Sequence, residues 1–144
     1  MTLEEEKQEK MTPRQRVLSL ISRLDAYYQR LEERKRRIMI NLLIVKDEDE
    51  AGEQIRNFSE IKKSITILKF SINGLALALR KIEEGEMAIA LRIIDSVREN
   101  LKTILPEFAF ELENIKKEMM REDEIEKTLE TILLELDEEN EASD

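Results

Sequence analysis

Apolar residues along this chain recur in alternating steps of four and three. Val17, Ile21, Leu24, Tyr28, Leu31, Ile38, Leu42 and Val45 keep that rhythm, with Lys35 the one interruption. The period is that of a helix burying a single stripe, close to a coiled-coil seam. Its start is sharply marked. Thr12 is placed to cap, Pro13 takes the first helical position, and Gln15 closes a capping box three residues after the cap. A helix over 13–46 would be about 50 Å long at 1.5 Å per residue. After the polar run at 46–50, where Asp47 with Glu50 offers a second box, a new stripe begins. Ala51, Ile55, Phe58, Ile61, Ile65, Leu68, Ile72, Leu75, Leu79 and Ile82 carry it. Asn73-Gly74 lies inside this stripe; the pair ordinarily marks a turn, but the phase runs through it, so the spacing predicts one continuous helix. Two long helices that each need a facing stripe make an antiparallel hairpin, here over about 13–84.

Gly85 follows as a C-cap candidate. A shorter helix is predicted over 87–105, with Ile89, Ile93, Val97, Leu101 and Ile104 on one side. Pro106 ends it and can open a fourth helix over 107–120, where Phe108, Leu112, Ile115 and Met119 recur at helical spacing. An amphipathic stretch with Ile125, Leu129, Ile132, Leu133 and Leu136 then leads into an acidic end, so that 121–144 reads as an acidic C-terminal helix and tail. Residues 1–12 are polar, lack a stripe and are expected to form a frayed or short segment. No strand-like alternation occurs. The expected fold class is all-α, a long antiparallel hairpin followed by shorter helices.

Composition narrows the function classes. The 144 residues include no Cys, His or Trp, 3 Gly and 2 Pro, and 40% are charged. Thiol nucleophiles, disulfides, thiolate metal sites and histidine acid–base chemistry are therefore excluded. Three glycines do not furnish a phosphate-cradling loop beside ordinary turns, and Asp47/Asp49 lacks the spacing of a carboxylate metal loop. No apolar run approaches the 18–20 or so residues of a membrane span, and no signal peptide opens the sequence. No cofactor, metal or catalytic residue is expected. The chain works by contacts.

The net charge of −9 hides an asymmetry. Residues 13–46 hold nine Lys/Arg against Asp25, Glu32 and Glu33, a local balance of +6. Residues 107–144 hold fifteen Asp/Glu against Lys116, Lys117, Arg121 and Lys127, a balance of −11. Within the basic part, Arg16, Arg23, Arg30 and Arg37 lie seven residues apart, and Arg14, Arg34, Lys35 and Arg36 thicken the row. Such a row is either a solvated helix flank, a surface for anionic lipid, or a seat for an acidic helix of a neighbouring subunit. Nucleic acid is disfavoured, because no aromatic platform accompanies the row and the rest of the chain repels phosphate. Two competing readings are a helical adaptor or coiled-coil regulator without a membrane role, and, more remotely, a small all-helical enzyme of the chorismate mutase type.

At residues 22–38, SRLDAYYQRLEERKRRI, the chain resembles the first core helix of the ESCRT-III family, closest to the archaeal cell-division (Cdv) branch. The likeness continues into RKIEEGEMAIALRIIDSVRENLKTILPEFAFELENIKKEM at 80–119, with breaks at Gly85 and Pro106 in the expected order. It covers about 13–120. The resemblance implies a cytoplasmic subunit that polymerises with itself and with paralogous subunits on the inner face of an anionic membrane. Polymers of this kind narrow membrane necks in division or budding. It also implies subunits that pass between a closed bundle and an open form. The residues themselves offer Gly85, with its permissive backbone, and Pro106 as hinges, and an acidic C-terminal part expected to lie on the basic first helix and favour the closed state, regulating assembly. The matching basic positions are Arg16, Arg23, Arg30, Arg34, Arg36 and Arg37. An AAA ATPase with an MIT domain is the implied disassembly partner. Glu126, Leu129, Leu133 and Leu136 have the spacing of the family's docking helix, with Ile132 and Asp137 standing where that motif has basic residues.

Overall fold

The computed structural model describes residues 2–3 and 11–142; the expectation for the polar N-terminal segment falls mostly outside them. Four helices follow one another: α1 (Pro13–Ile44), α2 (Glu48–Glu83), α3 (Met87–Leu101) and α4 (Pro106–Ala142). Among the described residues there is no strand, and the fold is all-α as the periodicity predicts. Each boundary has a local cause. Thr12 accepts from the Gln15 N–H at 3.2 Å while its own N–H donates to Gln15 Oε1 at 3.0 Å, the reciprocal box read from the sequence. Asp47 caps α2 through the Asp49 N–H at 3.1 Å, one residue short of a box with Glu50. Helix α2 ends in a Schellman motif. The Glu86 N–H reaches the Lys81 carbonyl at 2.8 Å, the Gly85 N–H reaches Ile82 at 3.1 Å, and Gly85 sits at φ 79°, the left-handed region that a side chain disfavours.

The helices alternate in direction, with α2 between α1 and α3 and α4 returning along α1. The core is restricted to one part of them. Val17, Leu20, Leu24, Leu68, Leu75, Ile94, Val97, Leu101, Leu112 and Ile115 are fully buried. In α1 the last buried residue is Leu31, in α2 the first is Ile61, and in α4 the last is Met119. The four-helix body therefore spans roughly 13–31, 61–83, 87–105 and 106–121. From it project two arms. One is the outer hairpin, 32–44 with 48–60, two helices deep and about 20 Å long. The other is residues 124–142, one helix deep and about 28 Å long, with every residue exposed.

The arms leave from opposite ends. Arg14 pairs with Glu83, and Gly85, Met87 and Ile89 border a cavity with Asp123 and Lys127, which places the exit of α4 beside the α2–α3 turn. At the other end, Ile104 from the α3–α4 turn meets Tyr27, Leu31, Asn57 and Ile61 around a cleft of about 270 Å³, where the outer hairpin begins.

Two sequence expectations change here. The helix expected over 107–120 and the separate acidic segment 121–144 are one continuous helix, α4, as far as Ala142. After Pro106 the chain has neither Gly nor Pro, and Glu, Lys and Leu sustain a helix through the stretch where the apolar stripe lapses. Helices α1 and α3 are also shorter than expected, ending at Ile44 and Leu101 instead of 46 and 105. The residues 102–105 that were expected to be helical instead turn the chain into Pro106.

Asn73-Gly74 is helical throughout, and Gly74 has a packing reason to be there. A Cβ at this position would stand 2.7 Å from Val97 Cγ2 on α3. With buried Ser71, whose hydroxyl donates to the Ile67 carbonyl at 2.8 Å, and buried Ala78, it makes a strip of small residues against α3. Val97 is β-branched and fully buried, so it cannot swing away. Gly74→Ala should therefore destabilise the protein by about 1–2 kcal/mol, overpacking outweighing a helix-propensity gain of about 1 kcal/mol. In a Val97→Ala background the same substitution should become neutral or stabilising. Urea denaturation of the four chains of this cycle reads the coupling directly.

Candidate interaction surfaces

The Arg row splits at the point where α4 begins. Arg16 donates to Glu118 at 2.8 Å and Arg23 to Glu111 at 2.6 Å, each across the α1–α4 groove and each partly buried. Arg23 also lies over the Phe108 ring, 5.3 Å from its centroid. The glutamates are seven residues apart, as the arginines are, so two antiparallel helices meet in matching register. Beyond Pro106 the groove beside α1 holds no helix. Arg30 rests over its own helix's Tyr27 ring at 5.4 Å, and Arg37 pairs only with Glu33, four residues back, at 2.6 Å. Arg30, Arg34, Arg36 and Arg37 are all exposed, and none has an acidic partner on another helix among the described residues. The sequence presented these residues as one row; the structure makes it two bonded clamps followed by an open basic stretch.

Lys35, the interruption in the first stripe, faces α2 half-buried and binds Glu32 at 3.2 Å. That hydrogen bond holds the Glu32 carboxyl below its usual range.

Apolar side chains share the outer hairpin with this charge. Met39, Ile40, Leu43 and Ile44 are 49, 54, 86 and 72% exposed, and Ile55 on α2 is 56% exposed. Of the apolar α1 residues beside the main stripe, Leu20 is fully buried, while Tyr27 is exposed at the edge of the body.

On the opposite arm, Glu126, Leu129, Leu133 and Leu136 lie on one face of α4, as their spacing implies, with Ile125 and Ile132 beside them; all are exposed. Residues 124–142 carry eight Asp/Glu and Lys127 as the one basic residue. This acidic half of α4 does not lie on the basic helix of its own chain. It points away from the outer hairpin, and the α4 acids that do bind the Arg row are Glu111 and Glu118.

Gly85 and Pro106, the two expected hinges, lie at the α2–α3 turn and at the first position of α4. Lys81 straddles the Gly85 turn, reaching Glu86 at 2.9 Å and Glu84 at 3.1 Å. Those bonds, Glu86 foremost, raise its pKa. The stabilisation they give is present below the ordinary lysine value and is lost only as pH rises through the raised one.

Among the described residues no helix is long and apolar enough to cross a membrane, and no group of His, Cys, Asp and Glu is arranged to hold a metal ion. No protein-family model, curated protein or solved structure matches this chain.

Proposed function

We propose that the protein is a subunit of a self-assembling, membrane-remodelling polymer, acting at anionic membrane surfaces in scission or cell division, with its acidic C-terminal arm governing assembly. The observation that carries this reading is the outer hairpin, an amphipathic pair of helices that leaves the four-helix body with its apolar and basic side chains in the open. A plain bundle would end its helices where its core ends. Here α1 and α2 run on for about 20 Å beyond the core, where Ile38, Leu42 and Phe58 are only half-buried, so the extension adds more surface than core. The likeness of 22–38 and 80–119 to ESCRT-III subunits supports the same reading, as do the breaks at Gly85 and Pro106.

The energetics favour a surface-bound polymer over a membrane-bound monomer. Each basic residue near anionic lipid contributes about 1 kcal/mol, so the exposed arginines of one subunit hold it weakly. Subunits linked to one another bind together, and the weak contacts multiply as avidity. Binding is therefore expected to be steep in protein concentration and sensitive to salt. A cytoplasmic, peripheral location, paralogous co-subunits and an ATPase docking on the Leu129/Leu133/Leu136 face belong to the same proposal.

Cosedimentation with vesicles of phosphatidylserine and phosphatidylcholine, set beside vesicles of phosphatidylcholine alone, tests the reading. Cooperative pelleting is expected with the anionic vesicles, reduced several-fold by raising the salt about fourfold, with filaments or coated tubules in negative stain. A chain of fixed small oligomeric state that ignores both vesicles would instead be the adaptor or coiled-coil regulator.

A further inference from the structure

We propose that the cleft where the outer hairpin leaves the body is a binding site for a small zwitterion, a free α-amino acid with an apolar side chain. Such a site owes nothing to self-assembly.

Three segments build the cleft, which measures about 270 Å³. Leu31 and Arg34 of α1 are one turn apart, and Asn57, Glu60, Ile61 and Ser64 of α2 recur at helical spacing, so each helix turns a single face to it. Ile104, from the turn between α3 and α4, closes it on the side of the body. The floor is apolar: Leu31 and Ile61 are buried and Ile104 half-buried. Around it stand Arg34 from one helix and Glu60 from the other. These opposite charges share the cleft without meeting, for neither forms an ion pair or a side-chain hydrogen bond among the described residues. The Asn57 amide and the Ser64 hydroxyl are likewise unbonded there. Lower in the body, charges on facing helices do join, as Arg16 with Glu118, Arg98 with Glu113 and Lys116 with Asp95. At the hairpin base the polar groups are left for a ligand.

The two charges define what fits. Glu60 repels a phosphate or a dicarboxylate, and Arg34 repels a polyamine. A molecule with one carboxylate and one ammonium meets both. The planar guanidinium of Arg34 donates two parallel N–H bonds to a carboxylate. Glu60 accepts from the ammonium, and Asn57 and Ser64 add an amide and a hydroxyl at the same level of the cleft. The floor of Leu31, Ile61 and Ile104 then takes an apolar side chain. Three unlike contacts fix the orientation of the ligand. Size narrows the choice further: pockets for drug-sized ligands run from about 300 to 1,000 Å³, so this cleft holds one small molecule and excludes a peptide or a nucleotide.

Equilibrium dialysis of the full chain against labelled L-leucine, L-methionine and L-phenylalanine tests the site. Saturable binding is expected for at least one of them, one molecule per chain, with a Kd below about 1 mM. For whichever binds, the analogues lacking the ammonium or the carboxylate (isocaproate and isoamylamine for leucine) should bind at least about tenfold more weakly. Arg34→Gln and Glu60→Gln, both at exposed positions, should each weaken the amino acid by at least about tenfold, with helix content by circular dichroism unchanged. No saturable binding of any of the three overturns the proposal. So does an analogue with one charge that binds as tightly as its parent, or an unchanged Kd in either variant. Dialysis reads occupancy whatever the state of assembly. A chain that binds the amino acid but never assembles keeps this site and loses the self-assembly reading; one that assembles and binds none of the three does the reverse.

Discussion

A chain ended after Asp123 is expected to unfold within about 2 °C of the full-length protein and to lose assembly. The reason lies in where burial stops. Met119 is the last buried side chain of α4, and everything from Glu124 to Ala142 is exposed, so removing it takes no apolar contact from the core. What is removed is Leu129, Leu133 and Leu136, an apolar face available only to another molecule. Burying each such side chain contributes roughly 1.5–3 kcal/mol before the entropy of association is subtracted. Three of them together decide whether copies associate at micromolar concentration. Thermal melts and analytical ultracentrifugation of the two chains make the comparison. An autoinhibitory tail predicts the reverse, a truncated chain that assembles more readily, and that result would reassign the role of the arm.

On the inner half of the same helix a single methyl-bearing side chain should have the opposite profile. Leu112→Ala is expected to cost about 2–5 kcal/mol, the range for removing a fully buried leucine and leaving a cavity. That is a large part of the total stability of a domain of ordinary size, about 5–15 kcal/mol. Leu133→Ala, on the same helix but 61% exposed, should change monomer stability by less than about 0.5 kcal/mol. Chemical denaturation of the two variants, with the midpoint and slope read separately, tests the division of α4 into a packed half and a free half. Equal effects at the two positions would mean that the arm folds back on the body in solution.

Much of this architecture is legible in the chain's own pattern. The capping box at Thr12–Gln15, the two long stripes and Gly85 each fix a helix boundary locally, because caps and backbone conformation depend on neighbours in sequence. The continuity of α4 is less visible. Glu122 and Glu126 occupy the positions where the stripe of Leu112, Ile115 and Met119 would continue, so the apolar period disappears although the helix does not. Helix formation there follows from the propensity of Glu, Lys and Leu and from the absence of any breaker. The division of the arginine row is hidden for another reason. Arg16, Arg23, Arg30 and Arg37 have the same local surroundings, and which of them acquire a glutamate depends on where the chain turns at 102–105 to bring α4 back. That is a tertiary fact. Gly74 is similar: the phase of the stripe shows that the helix continues through it, while the need for hydrogen in place of a methyl group comes from Val97, on another helix.

The unbroken passage of α4 from core to arm has a mechanical consequence. A helix held fast by Leu112 and Ile115 cannot turn about its own axis, so the direction in which Leu129 and Leu133 look is dictated by packing about four to six turns away. The arm behaves as a keyed shaft. One residue inserted near Arg121 would rotate the outer face by about 100° and advance it by about 1.5 Å, whereas seven would bring it back nearly to its first bearing, about 10 Å further out.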